Sequence, residues 1–258
     1  MALSEISISI IGSGNVAWHV ARRLFACGYS ISCVFSRNIS NAALLAEQVN
    51  AKATHTLTSI PTSDLYIFAI KDDAYQEIIS NFPQTQAICV HTSGSLEMDI
   101  LGKLSDNYGV LYPFQSFSKD KLIAFEKVPL CVEASNEQTE SFLMKIAGVI
   151  SPIIYLLSTE QRAYLHLAGV FASNFSNALY VIAQQILQQR NMDFKMILPL
   201  INETAEKVNN LSPTEAQTGP AVRNDARIMS KHIEMIKSTD WSEIYQLISK
   251  IIQKQQAI

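Results

Sequence analysis

The stretch Ile8-Ser9-Ile10-Ile11-Gly12-Ser13-Gly14-Asn15-Val16-Ala17 decides the fold. A β-branched apolar run opens directly into a Gly-x-Gly-x-x-Ala turn. Apolar residues at helical spacing (Ala17, Val20, Ala21, Leu24) follow at once. Strand, glycine turn and helix in this order begin a dinucleotide-binding βαβ unit. Gly12 permits the tight turn, and Gly14 lets backbone approach a pyrophosphate. The small Ala17 lets the helix pack close on the strand. Ser13, Asn15 and Val16 complete the loop, and the helix N-terminus offers free N–H groups to an anion.

The same rhythm continues outward. Short apolar runs at 6–11, 31–35, 65–70, 87–91, 110–112, 130–133 and 153–157 alternate with amphipathic segments. Near-continuous apolar strands between helices predict a parallel sheet covered on both faces. Beyond residue 158 the strand rhythm stops. Thr159 to Arg190 reads as one long helix, and further helical patterns cover 193–209, 224–237 and 241–255. The expected α/β architecture is a doubly wound, mostly parallel domain over 1–157 followed by an all-helical domain over 158–258.

Bulk properties narrow the function classes. The chain has 258 residues, 48% of them hydrophobic, and a formal net charge of -3. That charge gives no electrostatic reason to expect nucleic acid or an anionic membrane. Cys27, Cys33, Cys89 and Cys131 are scattered through apolar surroundings. They read as reduced core residues, not a disulfide frame or a metal site, and so point to the cytoplasm. No signal-peptide pattern opens the chain. The most apolar long stretch, 164–182, carries His166, Ser173, Asn174, Ser176 and Asn177, which reads as too polar for a membrane span.

The second strand ends Val34-Phe35-Ser36-Arg37-Asn38, and no Asp or Glu occurs from Asn15 to Ala46. An NAD site places a carboxylate here for the ribose hydroxyl. A hydroxyl and a guanidinium instead suit a 2′-phosphate, so Ser36 and Arg37 predict NADP(H). Ala69 and Ile70 end the next long strand and are expected against the cofactor, with Asp73 capping the following helix. Ser93 and Gly94 end a third, within reach of a nicotinamide ring. Ser93 either hydrogen-bonds the carboxamide or substrate, or it (or Thr92) caps a helix over 96–104.

On the long helix, His166, Ser173, Asn174 and Asn177 fall along one side at 3.6 residues per turn. This stripe either bonds another helix or faces a cleft between the domains. In the second case His166 is a candidate general acid or base. Asn174 becomes a substrate-orienting group, with Ser173 and Asn177 beside the substrate. In Thr218-Gly219-Pro220-Ala221-Val222-Arg223-Asn224-Asp225, Asn224 or Asp225 can cap the next helix, or Arg223 and Asp225 can hold an anionic substrate group. His232 is expected at the surface.

Taken together, these residues resemble a family of Rossmann-like proteins labelled as NADP oxidoreductases, whose C-terminal half is a domain of unknown function. The resemblance covers the whole chain. It rests on the glycine loop, Ser36-Arg37, His91-Thr92-Ser93-Gly94-Ser95, Pro113-Phe114-Gln115-Ser116-Phe117, His166 to Asn174 and Thr218 to Asp225. It implies kinship with pyrroline-5-carboxylate reductase and deazaflavin-dependent NADP reductases. It also implies a C-terminal domain like that of 6-phosphogluconate dehydrogenase and a homodimer formed through the helical half. Relatives carry His-Pro where this chain has Tyr112-Pro113, which argues against proton transfer at that position. Hydroxyacid dehydrogenases of this layout use a Lys and, one helical turn later, an Asn. No Lys lies between Thr159 and Arg190. The expected function is NADP(H)-dependent hydride transfer to or from a small imine or carbonyl compound, with NADP(H) binding without turnover as the alternative.

Overall fold

The computed structural model describes residues 5–255, so the outer ends of the two expected domains, 1–4 and 256–258, lie outside the described residues. The chain forms two compact units, the first running through Ser173 and the second beginning at Asn174.

In the first unit, eight strands among the described residues form one sheet. They are β1 (Ser7–Ile11), β2 (Ser30–Phe35), β3 (Lys52–Thr54), β4 (Leu65–Phe68), β5 (Ile88–His91), β6 (Tyr108–Pro113), β7 (Leu130–Ala134) and β8 (Ile154–Leu156). Their order is β3-β2-β1-β4-β5-β6-β7-β8. Every neighbouring pair is parallel except β6 with β7. The expected doubly wound sheet is present. β3 was not anticipated, because Lys52-Ala53-Thr54 is an exposed edge that pairs only with β2 and carries no apolar run.

Helices α1 (Asn15–Ala26), α2 (Ile39–Gln48), α3 (Tyr75–Asn81) and α4 (Glu137–Ile150) cover the sheet. On one face Ile8, Ile10 and Ile67 pack against Val20, Leu24, Leu45, Leu143 and Ile146. On the other, Ile11 and Phe68 pack against Tyr75, Ile78 and Leu101. Burial on both faces is why these strands read as continuous apolar runs. The helix expected over 96–104 is a 3-10 segment, Met98–Lys103. Gly102 sits within it and weakens α-helix formation there.

The turn after β1 is fixed sterically. Gly12 has φ +126°, and a Cβ on it would lie 2.1 Å from the Ala69 carbonyl oxygen. Strand ends are stitched across this point: Gly12 N–H donates to Phe35 O at 2.8 Å, and Ala69 N–H to Ile11 O at 2.8 Å.

The long helix exists as a continuous run of α5 (Thr159–Gly169), a π-helical segment (Val170–Phe175) and α6 (Ser176–Gln188). Ser158 caps it in a reciprocal box with Gln161. The units divide inside this helix, not at 157/158, because α5 is tied to the sheet by the buried Arg162. By length and composition Thr159–Gln188 could cross a membrane. Core helices of soluble proteins meet the same criterion, so this does not overturn the reading of 164–182 as too polar to span.

The second unit continues with a 3-10 turn (Phe194–Ile197), α7 (Leu198–Lys207), α8 (Pro213–Ala216), α9 (Ala226–Ile236) and α10 (Trp241–Gln255). The single helix expected over 193–209 is divided: Asp193 caps the 3-10 turn, and Pro199 enters the first turn of α7. His232 is not a surface residue. It is half-buried, and its Nδ1 lies 2.9 Å from the Tyr245 hydroxyl, joining α9 to α10.

Replacing Gly12 by Ala should cost about 2 kcal/mol or more, since a side chain there is both strained and in contact with Ala69. Urea unfolding measures it, and an unchanged midpoint would refute the close approach.

Candidate active site

A cleft of about 690 Å³ opens at the carboxyl ends of the parallel strands, where the strand order reverses between β1 and β4. Ligands of doubly wound sheets bind at such points. Its lining includes Gly12, Ser13, Gly14, Asn15, Val16, Ser36, Arg37, Ala69, Ile70, Ser93, Gly94 and His166. The first unit therefore brings together every expected cofactor residue and the expected acid/base.

The glycine end suits an anion. α1 has Gly14 at its N-cap, so no side chain caps it, and its first turn carries no acidic residue. By contrast α2, α4 and α5 are capped by Asn38, Asn136 and Ser158. The first N–H groups of α1 thus keep free valences and a positive dipole end. A Cβ on Gly14 would meet nothing within 4 Å, so the backbone there is open to close approach. The Ser13 hydroxyl donates to Ser36 Oγ at 2.9 Å, closing the gap between the two loops. Arg37 pairs with Glu77 at 3.6 Å, both side chains being about two-thirds exposed. Such an exposed pair is weak, so a phosphate can compete for the guanidinium.

Asn15 has a further task. Its side-chain amide donates to Phe117 O at 2.9 Å, and His19 Nε2 lies 2.8 Å from Ser118 O. These bonds hold the segment after β6 across α1 and bring Pro113 and Gln115 to the cleft. Asp73 does not cap α3, whose N-cap is Ala74. Asp72 instead accepts from the Ser95 hydroxyl at 2.6 Å.

At the other end, Ser93 is committed to its own loop. Its hydroxyl accepts the N–H groups of Ser95 (3.2 Å) and Leu96 (3.1 Å) and donates to Ser95 Oγ at 3.4 Å, whose own proton goes to Asp72. Its N–H donates to His91 Nδ1 at 3.1 Å, so His91 is neutral with its proton on Nε2. Nε2 is buried without a hydrogen-bond partner. Burial, reinforced by the Arg162 charge, holds the His91 pKa down to about 3, against weak opposing pulls from the Glu97 backbone and Asp72.

Arg162, 1% exposed, binds Glu133 at 3.0 Å and donates to Ser93 O at 3.0 Å. One turn later His166 Nδ1 lies 3.0 Å from the Tyr112 hydroxyl. Gly94 sits under this pair: a Cβ there would lie 2.6 Å from His166 Nδ1 and 2.8 Å from Tyr112 Cζ. At Gly169 a Cβ would lie 2.7 Å from the Phe114 ring. Arg162, His166 and Gly169 stand at i, i+4 and i+7, one face of an α-helix.

The polar stripe does not continue along that face. The π-helical turns after Gly169 add residues per turn and reset the phase. Ser173 is exposed and absent from the cleft lining. Asn174 and Asn177, in the second unit, are exposed, as is Arg223. Asp225 takes the capping role, accepting the Ile228 N–H at 3.1 Å.

Sequence reasoning missed Arg162, although a lone cation one turn before His166 in an apolar helix was a visible signal. It also set Tyr112 aside, whereas the structure places that hydroxyl on His166.

Residues 7–92 match the model of the family described as "NADP oxidoreductase coenzyme F420-dependent". Residues 128–252 match the domain of unknown function DUF2520. None of the curated proteins matches the chain. A crystal structure of a "putative NADP oxidoreductase" from Bacteroides fragilis is similar at 37% identity, covering 98% of this chain and 100% of that one, with TM-score 0.92. At fold level the chain is also similar to a reductive aminase from Aspergillus terreus solved with NADPH and ethyl-5-oxohexanoate (13% identity, 96% and 93% coverage, TM-score 0.75). An imine reductase from Pseudomonas sp. is similar at 17% identity, 96% and 94% coverage and TM-score 0.66.

The depressed His91 pKa gives a stability signature. Below about pH 6.5 the unfolded chain takes up a proton that the folded chain refuses until about pH 3. Stability should therefore fall as pH drops through that window, by about 2 kcal/mol at pH 5 relative to pH 7. A His91→Leu variant should lack this part of the slope; parallel stability-versus-pH curves would contradict it.

Proposed function

This chain belongs to the family of NADP oxidoreductases whose C-terminal half is the DUF2520 domain, and we propose that it transfers hydride between NADP(H) and a small imine or carbonyl compound. The observation that carries this reading is the uncapped, carboxylate-free start of α1 beside Ser36 and Arg37, with His166 lining the same cleft. The N–H groups of α1 and the Gly12–Val16 loop receive the pyrophosphate. Ser36 and Arg37 receive the 2′-phosphate, where a carboxylate would repel it.

The nicotinamide supplies or accepts the hydride when bound. The chain's own contribution is position and a proton. Ser93 and Gly94, held by Arg162 through the Ser93 carbonyl, set the floor of the hydride end. His166 exchanges a proton with the oxygen or nitrogen of the substrate's reacting double bond. The four cysteines are free thiols, which fits a reducing compartment such as the cytoplasm. A second reading, NADP(H) binding without turnover, draws support from Ser93, whose hydroxyl is already engaged by two N–H groups.

Titration with NADPH and NADH tests the cofactor. NADPH should bind roughly 10- to 100-fold tighter, and Arg37→Asp should erase that preference, the scale of one or two charge-assisted hydrogen bonds to phosphate. Equal affinity for both nucleotides would defeat the assignment. His166→Ala should keep NADPH affinity while losing turnover with carbonyl or imine substrates by ~10²-fold or more. Binding without turnover of any such compound by the unaltered protein would favour the second reading.

We also propose a homodimer through the helical unit. Leu179, Val181, Ile186, Leu247 and Ile251 are 37–62% exposed there, more apolar surface than an isolated helical unit leaves open to water. Sedimentation should give twice the chain mass of 28.7 kDa; a monomer at micromolar concentration would rule the dimer out.

A further inference from the structure

We propose that Tyr112 is the positioning residue of the proton-transfer group: its hydroxyl donates to His166 Nδ1 and so fixes the imidazole with the exchangeable proton on Nε2. This inference rests on the reading of the cleft as a hydride-transfer site, and it assigns work to a residue that the family pattern had set aside.

Three features converge on the pair. The hydroxyl–Nδ1 distance is 3.0 Å, across 54 residues of sequence. The two rings meet edge to face, with centroids 6.1 Å apart and an interplanar angle of 63°. Gly94 lies so close that any side chain would strike both partners, so the pair can form only over a glycine. Behind the pair, Arg162 anchors the helix one turn before His166. Thus the ring is held from its backbone side by the helix and from Nδ1 by the phenol.

The direction of the bond follows from the phenol's partners: among the described residues His166 Nδ1 is the hydroxyl's one hydrogen-bond partner. Burial, with a smaller contribution from Cys131, pushes the Tyr112 pKa up to about 12, partly offset by Arg162. The hydroxyl therefore keeps its proton throughout the neutral range. With the imidazole neutral, donation by the phenol is the arrangement that gives its proton an acceptor, so the ring proton resides on Nε2. When His166 is protonated, the same hydroxyl turns to accept from Nδ1–H, and Nε2–H remains the proton that can leave. Donation from Nε2 leaves a neutral ring with its proton on Nδ1, still bonded to the Tyr112 oxygen. The phenol keeps its own proton throughout, so the charge balance stays within the imidazole and the substrate. Tyr112 is not the donor to substrate; it selects which nitrogen is.

The test is long-range ¹H–¹⁵N correlation on full-length protein labelled with ¹⁵N-histidine, at a pH where His166 is neutral. His166 should show a pyrrole-type Nε2 and a pyridine-type Nδ1. In Tyr112→Phe the ratio of Nε2–H to Nδ1–H tautomer should fall roughly fivefold, the equivalent of one ordinary hydrogen bond. A His166 with its proton on Nδ1 in the unaltered protein overturns the proposal without any variant. So does a ratio that Tyr112→Phe leaves unmoved. NADPH affinity of the unaltered protein is read on the same sample. Failure to bind NADPH would overturn the hydride-transfer reading while leaving the tautomer result to judge Tyr112 separately.

Discussion

The buried Arg162 guanidinium is the contact on which the His166 end of the cleft depends. It touches three elements at once: Glu133 on β7, Thr159 in the first turn of α5, and the Ser93 carbonyl after β5. Thr159 closes the triangle by donating to Glu133 at 2.6 Å. A buried ion pair of this kind is a poor source of net stability, because desolvation offsets most of the attraction. What it supplies is register. With Arg162 pinned, α5 cannot rotate or slide, and His166 must arrive over Gly94 one turn later. Removing either charge would leave the other buried and uncompensated, so the helix and the loop are bound to the same fate.

The two ends of the cleft use different chemistry. The glycine end is made of backbone: unsatisfied N–H groups of α1, a left-handed turn at Gly12 and open space at Gly14. The opposite end is made of side chains whose polar atoms are incompletely matched. Among the described residues the buried polar side-chain atoms without partners are Trp18 Nε1, His91 Nε2, Thr139 Oγ1 and Arg162 Nε. Two of the four belong to side chains directly bonded to Ser93. Orphaned polar atoms are costly, and their concentration beneath one loop marks a place where geometry has been kept at the expense of stability.

That difference explains how much of the molecule could be read from its sequence. Gly12, Gly14 and Ala17, the apolar strands and the Ser36-Arg37 pair are local patterns, each visible within a few residues, and the sheet and the cofactor loop follow from them. The contacts that build the His166 end of the cleft join residues far apart: Tyr112 to His166 across 54 positions, Arg162 to Ser93 across 69. No periodicity reports such a meeting. β3 was illegible for a different reason, since an exposed edge strand needs no apolar run. The 3-10 segment at Met98–Lys103 shares its apolar spacing with an α-helix and differs only in how tightly it winds.

The π-helical turn is the most instructive failure of pattern reading. Arg162, His166 and Gly169 lie on one α-helical face, and each meets a partner in the first unit: Ser93 and Glu133, Tyr112, and Phe114. Continued at 3.6 residues per turn, that face would have carried Ser173, Asn174 and Asn177 in line, as the spacing implied. Beginning at Val170 the helix instead unwinds through six π-helical residues before α6 resumes. The reset follows immediately after the last keyed contact, so the two parts of one helix are free to present different faces. The first part serves the cleft and answers to Arg162.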